Sequence, residues 1–190
     1  MVRRMLDDGE RRQRPRAPYP SAEEFDTVLK DGTRLHVRPL RADDAPKLLE
    51  LYHKLSNESL YFRFFAVPRP DPDKAAYLAD VDYVDQFALL AEDETGIVAT
   101  ARFHRDMARP DHAEVAFTVA DAMQGKGIGT ILFRRLVESA RARGVAYFDA
   151  EVLQGNEKMI RVFEHAGLPA SKAAEGDKLK FTIALGTRSA

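Results

Sequence analysis

The sequence predicts an α+β domain in which one mixed, mostly antiparallel sheet is flanked by helices. Three strand-like segments follow one another with short links between them, and such a run is typical of an antiparallel meander. A glycine-rich loop then leads into a long amphipathic helix. Helices precede and follow these segments, and this order is typical of α+β folds with helices packed on one sheet.

The folded part of the chain is predicted to begin with a strand and short helices. Thr33–Leu40 alternates apolar and polar residues after a turn, which predicts a first strand. Asp43 or Asp44 is a typical cap for the helix that follows, because short carboxylates accept hydrogen bonds from free helical N–H groups. Asn57–Phe65 predicts a second helix, and Asp73–Ala79 predicts a further helical segment.

The remaining elements follow from periodicity. The meander strands are predicted at Phe87–Ala91, Ile97–His104 and Ala113–Val119. An apolar stripe that repeats every fourth residue predicts a helix over Gly129–Arg143. The last three elements are predicted to be a strand at Tyr147–Val152, a helix at Asn156–His165 and a strand at Leu179–Leu185.

Composition limits the classes of partner. Residues 1–25 are rich in arginine and proline and lack periodicity, which predicts a tail before a domain at residues 26–190. The basic cluster Arg11–Arg16 could contact nucleic acid or an acidic protein, but the neighbouring acidic residues favour a solvated tail. A net charge of −1 gives no general attraction to nucleic acid or to a membrane, and no apolar run is long enough to span one. The absence of cysteine fits a reducing cytoplasmic location.

The loop Gln124–Thr130 has the chemistry of an anion site. Glycines at 125, 127 and 129 let a phosphate approach the backbone, and the start of the next helix adds partial positive charge. The spacing differs from the dinucleotide fingerprint and from the P-loop. The alternative is a flexible turn between a strand and a helix.

Gln124-x-x-Gly127-x-Gly129 resembles the signature of the GNAT family of N-acetyltransferases, and the predicted element order is similar to that family over residues 33–185. The resemblance implies a sheet splayed at the site of acetyl-CoA and no metal. It implies that backbone N–H groups of the loop hold the pyrophosphate and that the preceding strand pairs with the pantetheine arm. The implied cofactor-binding residues are Phe117, Thr118, Val119, Gln124, Gly125, Lys126, Gly127, Ile128, Gly129, Thr130 and Asn156.

Glu114 is the candidate general base. A lysine amine has a pKa near ~10.4, so a base must remove a proton before the nitrogen can attack a thioester near neutral pH. Glu114 lies in the strand that precedes the loop, on the face opposite Val115, and many family members carry a glutamate on this strand. The alternative is a solvated strand carboxylate. A metal site formed by His104, His112 and Glu114 is a weaker alternative.

A general acid is not evident from the sequence. The segment from Asn156 through Phe163 resembles the second cofactor-binding segment of the family, in which many members carry a tyrosine that protonates the departing thiolate. Phe163 stands at that position and cannot donate a proton. The acid is therefore absent or is another residue, and Phe163 is also expected to pack in the core.

The acceptor stays open between three alternatives. Residues 38–44 and 56–65 resemble bacterial Pat-type protein lysine acetyltransferases, which implies a protein substrate such as an AMP-forming acyl-CoA synthetase. The second alternative is an acetyltransferase for a small amine, and the third is a non-catalytic sensor that binds acyl-CoA. Aromatic residues at helical spacing are more often core than partner-facing; here they are Tyr61, Phe62, Phe64 and Phe65.

Overall fold

A single eight-stranded sheet organises the computed structural model, which describes residues 16–186. The strands are β1 (Phe25–Val28), β2 (Arg34–Pro39), β3 (Gln86–Asp93), β4 (Gly96–Asp106), β5 (Arg109–Val119), β6 (Tyr147–Leu153), β7 (Ala170–Glu175) and β8 (Lys178–Ala184). The α-helices are α1 (Ala45–His53), α2 (Asn57–Phe64), α3 (Pro72–Ala79), α4 (Ile128–Ala142) and α5 (Glu157–Glu164). The strand order is β1-β2-β3-β4-β5-β6-β8-β7, which confirms the predicted α+β class.

The sheet opens between β5 and β6. Neighbouring strands pair antiparallel except for β5 and β6, which run parallel. This parallel pairing covers His112–Glu114 against Tyr147–Asp149 and then ends, although both strands continue. The predicted splay of the sheet is thereby confirmed, and it leaves a gap between two strand edges.

Both faces of the sheet are covered by helices, and the sequence of β3 is apolar on both of its faces as a result. Its apolar run is buried on both sides, as expected for a central strand between two layers. Phe87, Leu89 and Ala91 belong to the core under α4, and Ala88 and Leu90 belong to the core under the first helices. The predicted α4 stripe faces the first of these cores, where Leu132, Leu136 and Ala140 are completely buried.

Two edge strands and one boundary differ from the sequence predictions. β1 and β7 were not predicted, because β1 is four residues long and every residue of β7 is exposed, so neither has a clear apolar alternation. The folded part also begins before residue 26. The Ala17 N–H donates to Asp82 O at 3.0 Å, and Glu23 forms an ion pair with Arg143 at 2.8 Å. These are polar contacts with distant partners, which apolar periodicity cannot reveal. Residues 1–15 of the predicted tail, with most of its basic cluster, lie outside the described residues.

The helices of residues 16–186 include none that is both long enough and apolar enough to cross a membrane.

Candidate active site

A cavity of about 750 Å³ occupies the gap between β5 and β6. Its walls come from the end of β5, the glycine-rich loop, the start of α4, one face of α5 and the inner side of α2. The predicted site residues that line it are Glu114, Phe117, Thr118, Val119, Gln124, Gly125, Gly127, Ile128, Gly129, Thr130 and Asn156. The structure therefore brings the candidate base and the candidate anion loop to one cavity.

The glycine-rich loop presents an open concavity of main-chain groups. Gly125 and Gly127 have φ of +77° and +90°, values that residues with a Cβ rarely adopt. A Cβ added at either glycine would meet no atom within 4 Å, so the space beside both is open. Within α4 the first N–H groups with an acceptor are those of Thr130 and Ile131, which both donate to Gly127 O at 3.1 Å. The N–H groups that precede them have no intrahelical acceptor and can receive an anion.

Gln124 fixes the loop from the side. Its Nε2 donates to Ser59 Oγ at 3.0 Å and to Val119 O at 3.2 Å, and its Oε1 accepts from Lys158 Nζ at 2.8 Å. The side chain thus joins the loop to α2, β5 and α5. This arrangement explains in physical terms why a glutamine at the start of the loop is useful: an amide both donates and accepts.

Lys126 occupies a different place from the other loop residues. Its side chain turns away from the cavity and forms an ion pair with Asp31, with Nζ and Oδ2 2.9 Å apart. The hydrogen bond from Lys126 is the main reason why the pKa of the Asp31 carboxyl lies well below its usual range. The Lys126 ammonium therefore holds the loop against the β1–β2 turn.

The end of β5 supplies an unpaired strand edge and an unsatisfied hydroxyl. Phe117, Thr118 and Val119 pair with β4 on one side, and their other side faces the cavity, beyond the three residues that pair with β6. Thr118 is 5% exposed, and its Oγ1 has no hydrogen-bond partner. A buried hydroxyl without a partner costs about 1–3 kcal/mol, so this atom fits a site that a polar ligand completes.

Glu114 lies deeper in the same gap, on the β5 face that also carries Thr118. Burial raises the pKa of its carboxyl above the usual glutamate range. Arg63 acts in the opposite direction, while the carboxylates of Glu151 and Asp149 on β6 raise the pKa further. A carboxylate with a raised pKa in a cleft has the properties of a general base or acid.

Asn156 and Phe163 have defined structural roles on α5. The Asn156 Oδ1 accepts from Met159 N at 3.2 Å and so caps the helix, which leaves Nδ2 as its remaining donor. Phe163 is 2% exposed, and its ring packs against Phe133 and Phe181 at centroid distances of 5.6 and 5.4 Å. It also borders the cavity, so an apolar ring stands where a tyrosine acid would act.

Sequence reasoning missed the wall that α2 contributes. Glu58, Ser59, Phe62, Arg63 and Phe65 line the cavity. The aromatic residues of this segment lie in three environments. Phe62 and Phe65 line the cavity, Phe64 packs against Tyr52 with ring centroids 5.6 Å apart, and Tyr61 is 42% exposed. The mixed polar and aromatic composition of α2 was the available signal, because helices that only pack in a core contain few charged residues.

The three residues of the alternative metal site, His104, His112 and Glu114, do not converge on one point. His112 Nδ1 lies 2.9 Å from Asp149 Oδ2, and its ring stacks on Tyr147. His104 stands opposite Glu114 in the β4–β5 register. Within residues 16–186, no three histidine or carboxylate side chains converge as metal ligands would.

Comparison with known proteins identifies the class. Residues 52–168 match the family described as the acetyltransferase (GNAT) family. The chain belongs to this family, which comprises acetyltransferases. The splayed sheet with a glycine-rich loop after its fifth strand is the GNAT fold.

Three members of the family are similar to this chain in sequence or structure. The chain is 38% identical to Acetyltransferase Pat of Mycolicibacterium smegmatis over 141 residues, which is 73% of this chain and 42% of that protein. It is 31% identical to an acetyltransferase of Pseudomonas aeruginosa over 121 residues, which is 61% of this chain and 64% of that protein. The crystal structure of the GNAT domain of S. lividans PAT superposes with a TM-score of 0.80 at 38% identity, covering 87% of this chain and 98% of that one. The chain thus spans less than two thirds of the two full-length relatives.

Proposed function

We propose that this protein transfers the acetyl group of acetyl-CoA to the side-chain amine of a lysine in a protein, with Glu114 as the base. The observation that carries the proposal is one cavity that joins the glycine-rich loop to a partly buried carboxylate. The protein acceptor is supported by the similarity to the Acetyltransferase Pat of M. smegmatis and to the S. lividans PAT domain.

The residues of the cavity fit acetyl-CoA. The open main-chain concavity at Gly125 and Gly127 suits a pyrophosphate, because it offers N–H groups without a Cβ in the way. The unpaired edge of Phe117–Val119 suits the amides of the pantetheine arm, and the orphaned Thr118 hydroxyl suits a polar atom of the same arm. Asn156 Nδ2 and the apolar side of α5 form the opposite wall.

Glu114 performs the proton transfer in the proposed mechanism. Its ionised carboxylate accepts a proton from the acceptor ammonium, directly or through one water, and leaves a neutral nitrogen. That nitrogen forms a bond to the thioester carbonyl carbon, gives its second proton to water, and becomes the amide nitrogen as the C–S bond breaks and sulfur leaves with the electron pair. Phe163 cannot protonate the departing thiolate, so this thiolate leaves as an anion or takes a proton from water. The chain has no cysteine, and therefore no acyl-cysteine relay precedes the attack.

The exposed residues beside the cavity favour a large acceptor. Tyr61 and Val67 are 42% and 51% exposed, and they flank the α2 residues that line the cavity. Exposed apolar side chains next to a catalytic cleft suit a protein surface, whose binding energy can position one lysine and exclude water. We propose an AMP-forming acyl-CoA synthetase as the acceptor, and a cytoplasmic location follows from such a partner.

The acceptor is tested with labelled acetyl-CoA and three substrates. A native AMP-forming acyl-CoA synthetase, a short peptide with the sequence around its modified lysine, and a polyamine are compared by kcat/KM. We expect the folded protein to be acetylated at least about 10²-fold more efficiently than the peptide, because docking energy is lost in the peptide. Equal rates for peptide and protein, or faster acetylation of the polyamine, refute the protein acceptor. Binding of acetyl-CoA without transfer to any acceptor would instead indicate a sensor.

A further inference from the structure

Arg63 is a buried cation in the wall of the active-site cavity. It lies in the last turn of α2, is 8% exposed, and lines the same cavity as Glu114. Among residues 16–186, no oxygen accepts a hydrogen bond from its guanidinium or forms an ion pair with it. Its guanidinium lies over the ring of Phe64, with the guanidinium carbon 4.7 Å from the ring centroid. A buried guanidinium normally has carboxylate or carbonyl partners, because its desolvation is costly.

A second buried arginine makes this arrangement more unfavourable. Arg102 on β4 lies close enough to Arg63 for the two positive charges to repel, and burial followed by weaker effects lowers the pKa of Arg102 to about 10. The Arg102 Nη2 donates to Leu78 O at 2.5 Å, so Arg102 has a fixed hydrogen-bond acceptor. Among the described residues, Arg63 has no such hydrogen-bond acceptor. A position that is buried, repelled by a like charge and open to the active-site cavity is typical of a functional charge.

The other charges around Glu114 already have partners. On β6, Asp149 accepts from His112 of β5 at 2.9 Å and from Thr182 at 2.7 Å, and Glu151 pairs with Lys178 at 3.3 Å. On β4, Arg102 is bound to a carbonyl and His104 faces Glu114 in the register. On α2, Glu58 also lines the cavity. On α5, Lys158 is bound to Gln124 Oε1, and the exposed Arg161 pairs with Glu157. Among the described residues, Arg63 is therefore the buried cation of this cavity that has no other hydrogen-bond or ion-pair partner.

We propose that Arg63 is a positioning residue for Glu114: its buried guanidinium, facing the same cavity, keeps the Glu114 carboxylate ionised. This inference rests on the proposed role of Glu114 as the base. Burial alone would favour the protonated carboxyl, which cannot accept a proton from the acceptor. A positive charge inside the same low-dielectric cavity opposes that effect without occupying the carboxylate in a direct ion pair.

The sign of the pH effect follows. Burial raises the pKa of Glu114, and Arg63 lowers it. Removal of the Arg63 charge therefore raises the pKa of Glu114 further, and a larger fraction of the enzyme is protonated and inactive at mildly acidic pH. The acid limb of the pH–rate profile should move to higher pH, whereas the rate at high pH should change little.

The experiment compares Arg63→Gln with Arg63→Lys, and Arg134→Gln on the exposed surface of α4 serves as the matched control. The readouts are kcat/KM from about pH 6 to about pH 9 and the ¹³C NMR titration of the Glu114 carboxyl, assigned with Glu114→Gln. In Arg63→Gln, kcat/KM should fall at least about fivefold more at the acidic end than at the basic end. Arg63→Lys keeps the positive charge and should therefore keep the acid limb of the pH–rate profile at the wild-type position. Arg134→Gln should have the same pH–rate profile as the wild type.

The outcomes separate this inference from the proposed function. A uniform loss of kcat/KM at every pH, with an unchanged carboxyl titration, overturns the role of Arg63. A carboxyl titration that moves without a matching change in the pH–rate profile supports the effect of Arg63 and refutes Glu114 as the base. If Arg63→Gln does not fold, Arg63→Met preserves the apolar part of the side chain, and the same titration applies to it.

Discussion

At the scale of single residues, Glu114 has the environment that a base in this cavity requires. Its side chain lies between two diverging strands, where burial raises the pKa of the carboxyl. A raised pKa makes the carboxylate a stronger base, but it also narrows the pH range over which the residue is ionised. The activity should therefore fall as the pH drops through the raised pKa, which lies above the usual range for glutamate.

The first prediction concerns Glu114→Gln. Loss of a general base lowers kcat by about 10²-fold or more, and the remaining rate should rise with pH because a deprotonated amine or hydroxide must replace the base. Initial rates with labelled acetyl-CoA measure the change. Calorimetry provides the control, since the affinity for acetyl-CoA should stay the same. A variant with near-normal turnover at neutral pH would show that Glu114 is an ordinary strand residue.

Residue-level prediction from sequence succeeded where a local pattern determines the side chain. Strict alternation along β5 places Glu114 opposite Val115, and the structure has them on opposite faces. The Lys126 side chain could not be placed, because its partner Asp31 is 95 positions away in a turn of another strand pair. Arg63 was missed for a related reason, since its burial depends on how α2 packs across the sheet.

At the scale of elements, the loop between β5 and α4 depends on two glycines with positive φ. Gly127→Val should weaken acetyl-CoA binding by at least about tenfold, because a side chain would enter the open space that suits the pyrophosphate. The positive φ is unfavourable for valine and should separately lower the free energy of unfolding by about 1–3 kcal/mol. Affinity is measured by calorimetry and stability by thermal unfolding.

A matched control isolates the steric effect. Gly144 has φ of +77° and open space around it, but it lies after α4 and outside the cavity. Gly144→Val should therefore lose comparable stability and keep the wild-type affinity. If both variants bind acetyl-CoA equally well, the loop does not hold the pyrophosphate.

Most elements could be predicted because their burial is periodic. The meander and α4 have apolar residues at strand or helix spacing, and each lies within a few residues of its predicted bounds. β7 has six exposed residues and therefore no hydrophobic signal, although it pairs with the next strand, β8, across a two-residue connection. The opening of the sheet was predicted from the family resemblance alone, since strand separation leaves no mark in the composition of either strand.

At the scale of the whole molecule, a network of buried ion pairs joins β2 and β3 to the segment that precedes α1. Arg38 on β2 donates twice to the Asp44 carboxylate at 2.7 Å and twice to Glu92 on β3, at 2.9 and 3.5 Å. Asp44 precedes α1, but its carboxylate accepts from Arg41 N at 2.8 Å and does not cap the helix as predicted. Burial is the largest effect on the pKa of Asp44 and would raise it, but the hydrogen bonds and charge of Arg38, together with the Arg41 N–H and the charge of Lys47, lower the pKa overall.

Asp44→Ala should lower the free energy of unfolding by about 3–5 kcal/mol, because it removes the bidentate partner of the buried Arg38 guanidinium and leaves it Glu92 and the Pro39 carbonyl. The lowered pKa means that this contribution persists below the usual aspartate range and is lost as the pH falls through the folded-state pKa. Urea unfolding at neutral and acidic pH measures both effects. Glu138→Ala removes an exposed partner of Arg135 and should cost less than about 1 kcal/mol. Equal costs for the two variants would contradict the importance of the buried network.

The separation of β5 and β6 also has a thermodynamic consequence. Three residue pairs connect the two halves of the sheet, and beyond them the facing main-chain groups of both strands lack strand partners. A ligand that completes those hydrogen bonds binds the folded chain and not the unfolded one, so it contributes to the stability of the fold itself. By linkage, a ligand present at 100 times its Kd adds about 2.7 kcal/mol. We therefore expect the folded population of this protein to depend on the supply of the molecule that fills the gap, so that a fall in that supply lowers stability and activity together.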